Sequence, residues 1–468
     1  MEFQQFYLTC LAHASYLIGS EGVAAIVDPQ RDVELYLDEA AKRGLRIQHV
    51  IETHLHADFV SGHAELAQRT GATIHVGARA GATFPHHAVK DGDEIRFGRV
   101  ALRFLETPGH TVEGICAVVT DLEKSEKPWA VLTGDTLFIG DVGRPDLSPD
   151  LTPQQLAGML YDSLHNKLLT LPDDVLVYPA HGAGSLCGRQ MSTDLSSTIG
   201  MQRTANYALR AASRDEFVKL LTEDLPERPG YFLRDAAINR GGAPALADLP
   251  PLTALSPAEF AARSAAGVLI LDTRPAAKYL PAHIPGSLHI GLGGQFASWA
   301  GALVGVDAPL LLVAEDPAGV EEARVRLARV GIEKIEGWLE GGILAWDTAG
   351  QPLAGSAELT AEELSERMRG GEKLQLVDVR RQGEWDNGHI AGALLKPLDR
   401  LEKNLDGLDR ARTVAVQCQG GYRSAIAASL FERAGFTKVV NIAGGFAAWA
   451  SAKLPVEGGG VAPACGKT

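Results

Sequence analysis

Cysteine is scarce in this chain. Cys10, Cys116, Cys187, Cys418 and Cys465 are the five among 468 residues, and no two form a C-x-x-C pair. An odd number without paired spacing speaks against a secreted disulfide framework and against a cysteine-built structural zinc site. Long apolar runs are missing as well: none reaches the ~18 residues that a membrane span needs. The opening MEFQQFYLTC has neither the basic nor the apolar region of a signal peptide. Positive charge is in deficit, 44 Lys and Arg against 58 Asp and Glu, for a net −14. That excludes sequence-independent binding to nucleic acid or to an anionic membrane surface, since both need a basic footprint. The expectation is a soluble protein of a reducing cytoplasm. Apolar residues (46%) and charged residues (22%) are present in ordinary amounts, which excludes wholesale disorder. The length is about three times the ~150-residue norm for one domain.

An internal repeat gives those domains an identity. LILDTRPAAKYLPAHIPGSLHI from Leu269 parallels LQLVDVRRQGEWDNGHIAGALLKP from Leu374. Asp272 and Asp378, Arg274 and Arg380, His283 and His389, and Gly286 and Gly392 each stand 106 residues apart, and Trp346 stands opposite Trp449 at an offset of 103. Two copies of one domain of about a hundred residues are expected, over 250–352 and 356–460, after an unrelated domain over 1–245. The stretches Ala243 to Pro257 and Gly350 to Thr360 would be linkers. In the second copy, LQLVDV and TVAVQC are short buried strands, and AIAASLFERAG after the TVAVQC loop is a helix. Such alternation implies an α/β domain with a parallel sheet.

The first ~240 residues carry short β-like runs (VAAIVDP, HVIETH, TIHV, VALRFLETPG, WAVLTGD, VLVYPAHG) with helical stretches between them. Several of these runs end in His or Asp, at the carboxyl ends where α/β sites form. Four such ends offer Thr53-His54-Leu55-His56-Ala57-Asp58, Gly109-His110, Gly134-Asp135 and Pro179-Ala180-His181-Gly182. Imidazole and carboxylate are the ligands of a divalent transition metal. A lone histidine of this kind is more often a satisfied core residue, but four ends in this order point to a site.

H-x-H-x-D, GH, GD and PAHG in this order resemble the metallo-β-lactamase superfamily, an αββα sandwich. Its dimetal hydrolases use H-x-H-x-D-H, whereas this chain has Phe59 at the last position. Phenylalanine cannot coordinate, so the second metal loses a ligand and one metal is the simpler expectation. THLHADFVSG, TPGHTVEG and TGDTLFIGDVGRPDL resemble the persulfide dioxygenase branch. That resemblance implies one non-haem Fe(II) per chain on His54, His110 and Asp135, a two-His, one-carboxylate face with open positions. It leaves His56, Asp58 and His181 to orient ligands or substrate; the alternative is that they ligate metal in a zinc enzyme. Arg144 could clamp an anionic part of a thiol substrate or form a salt bridge with Asp141 or Asp146. Cys187, six residues after His181, could be an acidified thiol that handles sulfur or a small buried hydrophobe. Cys10 and Cys116 lie in apolar runs and are expected in the core. Cys465 is assigned no role.

Cys418 opens the loop Cys418-Gln419-Gly420-Gly421-Tyr422-Arg423-Ser424, between a strand and a helix. Its glycines let backbone N–H groups turn inward as an anion-holding nest, and the helix N-terminus favours a thiolate. Arg423 adds a full charge. C-x-x-G-x-R-S resembles the active loop of rhodanese sulfurtransferases. Phosphatases of the Cdc25 type share the fold but have a longer loop, so the span favours sulfur over phosphate. Asp378, Arg380, Glu384, His389 and Gly392 match the rhodanese pattern as fold supports. The middle copy reads LLLVAEDPAGVEEARVRL, with Ala314 or Glu315 opposite Cys418 and no arginine opposite Arg423, so it cannot carry sulfane sulfur.

The whole chain is similar to fusions of a persulfide dioxygenase with an inactive and an active rhodanese domain (CstB-like proteins). The implied activity is oxidation of a glutathione- or coenzyme A-type persulfide by O₂ to sulfite. The Cys418 domain would add thiosulfate sulfurtransfer. The implied partners are small: persulfide, sulfite, thiosulfate and O₂; a homo-oligomer stays open. Two other classes are a zinc-dependent, glyoxalase II-like thioester hydrolase with an appended sulfurtransferase, and a non-catalytic sulfur carrier. Phe59 speaks against the former and the intact His54, His110 and Asp135 set against the latter.

Overall fold

The computed structural model describes residues 1–223, 225, 227–305 and 307–458; Cys465 lies outside them. The chain divides into two compact units. One comprises Met1–Pro250 with Val325–Glu333, the other Pro251–Arg324 with the chain from Lys334 onward. Among the described residues no helix is long and apolar enough to cross a membrane, and Cys10, Cys116, Cys187 and Cys418 are free thiols.

The first unit holds two six-stranded sheets. One runs Glu2–Leu8, His13–Ser20, Val23–Val27, Arg46–Glu52, Thr73–Gly77 and His87–Val89 in spatial order. The other runs Ser197–Thr198, Leu176–Pro179, Ala130–Gly134, Ile115–Asp121, Val100–Glu106 and Glu94–Phe97. His13–Ser20 is buried along its whole length, which requires cover on both faces. Tyr16, Ile18, Val27, Ile51, Phe104, Val119 and Leu132 fill the space between the sheets. The outer face of the first sheet is covered by helices Glu34–Lys42 and His63–Thr70 through Tyr36, Ala40 and Leu66. Helices Pro153–Asn166 and Arg214–Thr222 cover the second through Leu160, Leu164, Phe217 and Leu221. Helix, sheet, sheet, helix is the αββα sandwich that the motifs imply. Within this unit the segment Val325–Glu333 is tied down by Arg329, whose guanidinium forks onto Asp32 at 2.8 and 2.8 Å. Its carbonyl accepts from the Val60 N–H. Cys10 is a correction to the expected core packing: it is partly exposed, with Sγ 3.7 Å from Arg329 Nη1. Cys116 is fully buried as expected.

The second unit holds two five-stranded parallel sheets with the same strand order. In the middle copy Leu310–Val313 lies at the centre, between Leu269–Asp272 and Ile335–Leu339. In the last copy Val414–Gln417 lies between Gln375–Asp378 and Val439–Ile442. The two expected linkers are more structured than their composition suggests. Ala254–Leu255 and Ala357–Leu359 are the edge strands of the two sheets. Ser256 and Thr360 then close capping boxes on helices Pro257–Ala265 and Ala361–Arg369, the Ser/Thr-x-x-Glu pattern that satisfies the first orphan N–H groups.

Candidate metal centre and sulfur loop

Each histidine or aspartate of the first unit sits just past a strand. Arg46–Glu52 delivers His54 and His56, Val100–Glu106 delivers His110, Ala130–Gly134 delivers Asp135, and Leu176–Pro179 delivers His181. His110 Nε2 lies 3.3 Å and His54 Nε2 3.7 Å from Asp135 Oδ2. All three side chains are buried, and these three atoms have no hydrogen-bond partner. Orphaned polar atoms in a buried cluster need an explanation; three converging donors fit a metal ion. The opposite edges of the rings are held. His110 Nδ1 donates to the Arg144 carbonyl at 3.0 Å. The Thr53 hydroxyl donates to Asp28 Oδ2 at 2.9 Å and so accepts from His54 Nδ1 at 3.0 Å. Both rings therefore present a lone pair at Nε2, the pattern of metal-ligating histidines. Burial, then the neighbouring His56, push His54 well below its ordinary value. Burial also lowers His110, so both are neutral donors. Burial alone would raise Asp135, but His181, 2.7 Å from its Oδ1, outweighs it and holds the carboxyl well below its usual range.

The backbone leaves room for this. At Gly134 (φ +50°) a Cβ would stand 2.5 Å from Thr53 Oγ1, and at Gly143 it would stand 2.7 Å from His110 Nδ1. Asp28 itself holds φ 51°, a conformation costly for a residue other than glycine and tolerated here at the site.

His56, Asp58 and His181 form a second buried group. His181 bridges two carboxylates, Asp135 Oδ1 at 2.7 Å and Asp58 Oδ2 at 2.9 Å. Burial opposes its charge, but Asp135 and Asp58 outweigh that and raise it well above its ordinary value. His56 Nε2 lies 3.2 Å from Asp28 Oδ1. Phe59 is fully buried, with its ring centroid 4.2 Å from that of His13 and 4.4 Å from that of His56.

Two side chains depart from one of their sequence readings. Arg144 forks onto Asp146 at 2.7 and 2.8 Å and donates to the Leu186 carbonyl. The salt bridge therefore replaces the free anion clamp, and its carbonyl positions His110. Cys187 Sγ lies in one group with Asp135 and His181. Burial, then Asp58 and Asp135, push the thiol well above its ordinary value, so it is not acidified. Several supports went unnoticed in the sequence. Asp28 and Thr53 steer His54; Glu113 Oε1 accepts from the Leu55 N–H at 3.1 Å. Asn239, fully buried, donates to the carbonyls of His56 (2.7 Å) and Phe59 (2.8 Å) and accepts from the Ser61 N–H (2.8 Å). Thr53 adjoins the motif and Asp28 ends a β-like run, so both carried a signal. Asn239 carried none.

In the last copy, Cys418 follows Val414–Gln417 and precedes helix Tyr422–Arg433. It is 1% exposed. The Gly421 N–H (φ +100° at that residue) points at Cys418 Sγ, 3.1 Å away, and Ser424 Oγ lies 3.6 Å from it. Gln419 and Gly420 are exposed; Gly421, Tyr422 and Arg423 are partly buried. Arg423 forks onto Glu384 at 2.7 and 2.7 Å. Arg380 forks onto Asp378 and reaches Gln419 Oε1 at 3.3 Å. In the middle copy Arg274 forks onto Asp272 in the same way, but the loop after Leu310–Val313 begins with Ala314 and Glu315 and offers no thiol.

With this geometry in view, the metallo-beta-lactamase superfamily model matches residues 8–181. The rhodanese-like domain model matches 256–349 and 360–452. Persulfide dioxygenase ETHE1 of Bos taurus, a mitochondrial protein, is 34% identical over 222 residues, 46% of this chain and 78% of its own. This chain belongs to the metallo-beta-lactamase superfamily. It carries two rhodanese-like domains behind that sandwich. A hydroxyacylglutathione hydrolase of Methylobacillus flagellatus is 30% identical over 226 residues, 48% of this chain and 80% of its own. A metallo-beta-lactamase structure from Staphylococcus aureus matches with a TM-score of 0.65 at 32% identity and covers 72% of this chain and 98% of its own. That match reaches well past the sandwich.

Proposed function

We propose that the first unit oxidises low-molecular-weight persulfides with O₂ on one non-haem Fe(II), and that Cys418 carries sulfane sulfur for transfer. The observation that carries this reading is the set of three buried, unpartnered donor atoms on His54, His110 and Asp135, beside a Phe59 that cannot ligate a second ion. The bovine relative's name, persulfide dioxygenase, supports it. Fe(II) held there supplies open coordination positions and the electrons that activate O₂ toward the bound persulfide.

The chain's own residues do the rest. Thr53 with Asp28, and the Arg144 carbonyl, fix the two imidazoles. His181 holds the second oxygen of Asp135. Burial keeps bulk water from the centre, which strengthens every electrostatic contact within it. The net reaction is RSSH + O₂ + H₂O → RSH + SO₃²⁻ + 2H⁺. At the second site the Cys418 thiolate attacks the outer sulfur of a persulfide, the S–S bond breaks, and RS⁻ leaves. The outer sulfur of the Cys418 persulfide then passes to sulfite as thiosulfate. The loop that begins at Gln419 supplies N–H groups for the anionic sulfur. We place the protein in a reducing cytoplasm, where these thiols stay free.

Metal analysis combined with O₂ uptake on glutathione persulfide and coenzyme A persulfide tests the proposal. Bound iron with uptake on one of them is expected. Bound zinc without uptake, and hydrolysis of a glutathione thioester, would replace it with a hydrolase of the kind named for the Methylobacillus relative.

A further inference from the structure

The helix that follows the Cys418 loop is fastened along one face to the copy that has no thiol. Tyr422 Oη donates to the Gly291 carbonyl at 2.9 Å. Ser429 Oγ accepts from the His289 N–H at 3.1 Å. Glu432 Oε2 lies 2.8 Å from His283 Nε2, and its other oxygen accepts from Ser356 Oγ, in the segment that joins the two copies. Arg433 Nη1 donates to the Gly286 carbonyl at 3.0 Å. Positions 422, 429, 432 and 433 fall on one side of a helix with 3.6 residues per turn. The contacts are not rim contacts: His283, His289 and Ser429 are fully buried. Gly294 (φ +58°) lies against the Tyr422 ring, where an added Cβ would stand 3.4 Å from the ring carbons.

The repeat itself shows that this use is peculiar to the middle copy. His283 and His389 occupy the same place, and each meets the carbonyl four residues back, that of Tyr279 or Trp385. His389 turns its Nε2 toward Glu457 at 4.0 Å, within its own copy. His283 turns its Nε2 to Glu432 of the other copy. The middle copy has no thiol, but it carries groups that grip the helix of the last copy.

We propose that the thiol-less copy is a positioning part of the sulfur-transfer site, holding the Cys418 loop in its anion-binding form through Tyr422 and Gly291. This rests on the Cys418 reading above. The link is short: Tyr422 follows Gly421, whose N–H points at the sulfur. A nest works only if its N–H groups are held in place before the anion arrives. Release of the Tyr422 hydroxyl lets the loop sample other forms, and the substrate's apparent affinity falls by the fraction still competent.

Tyr422→Phe in the full chain keeps the ring against Gly294 and removes the hydroxyl that donates to the Gly291 carbonyl. Thiosulfate sulfurtransfer is expected to lose about three- to tenfold in kcat/KM, the worth of one hydrogen bond, with the loss in KM and kcat kept. Alkylation of Cys418 by neutral iodoacetamide, followed on its own peptide by mass spectrometry, is expected to quicken at least about twofold by the same loosening. Glu432→Gln, at the far end of the same face, should change both readouts in the same directions. Thermal unfolding and circular dichroism identify any variant that fails to fold. Wild-type values of KM and of alkylation in both folded variants overturn the proposal. A wild-type protein without sulfurtransfer overturns the Cys418 reading instead, and the alkylation rates alone then decide whether the middle copy holds the loop.

Discussion

Thr53→Val isolates one atom of the metal centre. Valine keeps the volume of threonine, so the close approach to Gly134 is unchanged, but the hydroxyl is gone. In the native chain that hydroxyl accepts from His54 Nδ1 at 3.0 Å and donates to Asp28 Oδ2 at 2.9 Å, with Thr53 1% exposed. Its loss leaves a buried imidazole N–H without an acceptor. Asp28 still accepts from the Thr53 N–H at 2.7 Å, so the backbone stays in place and only the ring loses its rudder. Removing such an outer partner of a metal-bound histidine costs about 10- to 100-fold in affinity, or about 1.4–2.7 kcal/mol at 1.36 kcal/mol per decade. The metal-free protein should also lose about 1–3 kcal/mol of stability for the unsatisfied N–H. Anaerobic competition with a chromophoric chelator measures the Fe(II) dissociation constant directly, and urea unfolding of the metal-free protein measures the second quantity. Thr53→Ser keeps the hydroxyl and should restore most of the affinity. Wild-type affinity in Thr53→Val would refute the steering of His54. Equal weakening in the Val and Ser variants would assign the effect to packing.

Cys418→Ser should abolish thiosulfate sulfurtransfer and leave O₂ uptake intact; loss of both would show that the two chemistries are not independent. Phe59→His offers a nitrogen where the buried ring meets His56, and metal analysis should then find more than one ion per chain; a ratio still at one would mean that Phe59 is not what limits the count. Away from the centre, His75 packs against His49 at 3.1 Å and near His87; burial, then these two neighbours, lower it from the usual 6.5 to about 4. The unfolded chain therefore binds the extra proton first, so stability is full above pH 6.5, falls as the pH drops toward 4, and is flat below. By linkage the loss from pH 7 to 5 is on the order of 2 kcal/mol. His75→Asn should flatten urea-unfolding stability of the first transition across that window, and an unchanged slope would refute the assignment.

The fold was legible because each element obeys a local rule. Continuous apolar runs such as LQLVDV became interior parallel strands, and the offset of 106 residues between Asp272 and Asp378 reappeared as two sheets of identical order, each matched by the rhodanese-like model. What composition concealed were edge strands as short as Ala254–Leu255, because two residues show no periodicity. In the site, His54, His110 and Asp135 were legible because each follows a strand in a recognisable motif. The orientation of their rings was not. It depends on a carbonyl at Arg144 and a carboxylate at Asp28, and a carbonyl is chemically silent in sequence. Asn239 binds the His56 and Phe59 carbonyls from more than 170 residues away, a distance over which no spacing rule operates.

The charged residues show the same limit in another form. In the sequence Arg144 could be an anion clamp or a salt-bridge partner of Asp141 or Asp146, and Arg423 a full positive charge beside Cys418. The structure places each on a carboxylate, Asp146 and Glu384. A partnered fork still contributes its field, but the carboxylate beside it offsets much of its positive charge. On the proposed function the anionic substrates would be held by backbone N–H groups at Gly421 and its neighbours in one site, and by the positive charge of a bound metal ion in the other, rather than by an unpaired arginine. Backbone donors keep their geometry only as well as the surrounding elements hold them. On that reading a chain with a net charge of −14 would rely on rigidly positioned backbone donors at the sulfur site, and the domain without a thiol would contribute there by supplying the rigidity.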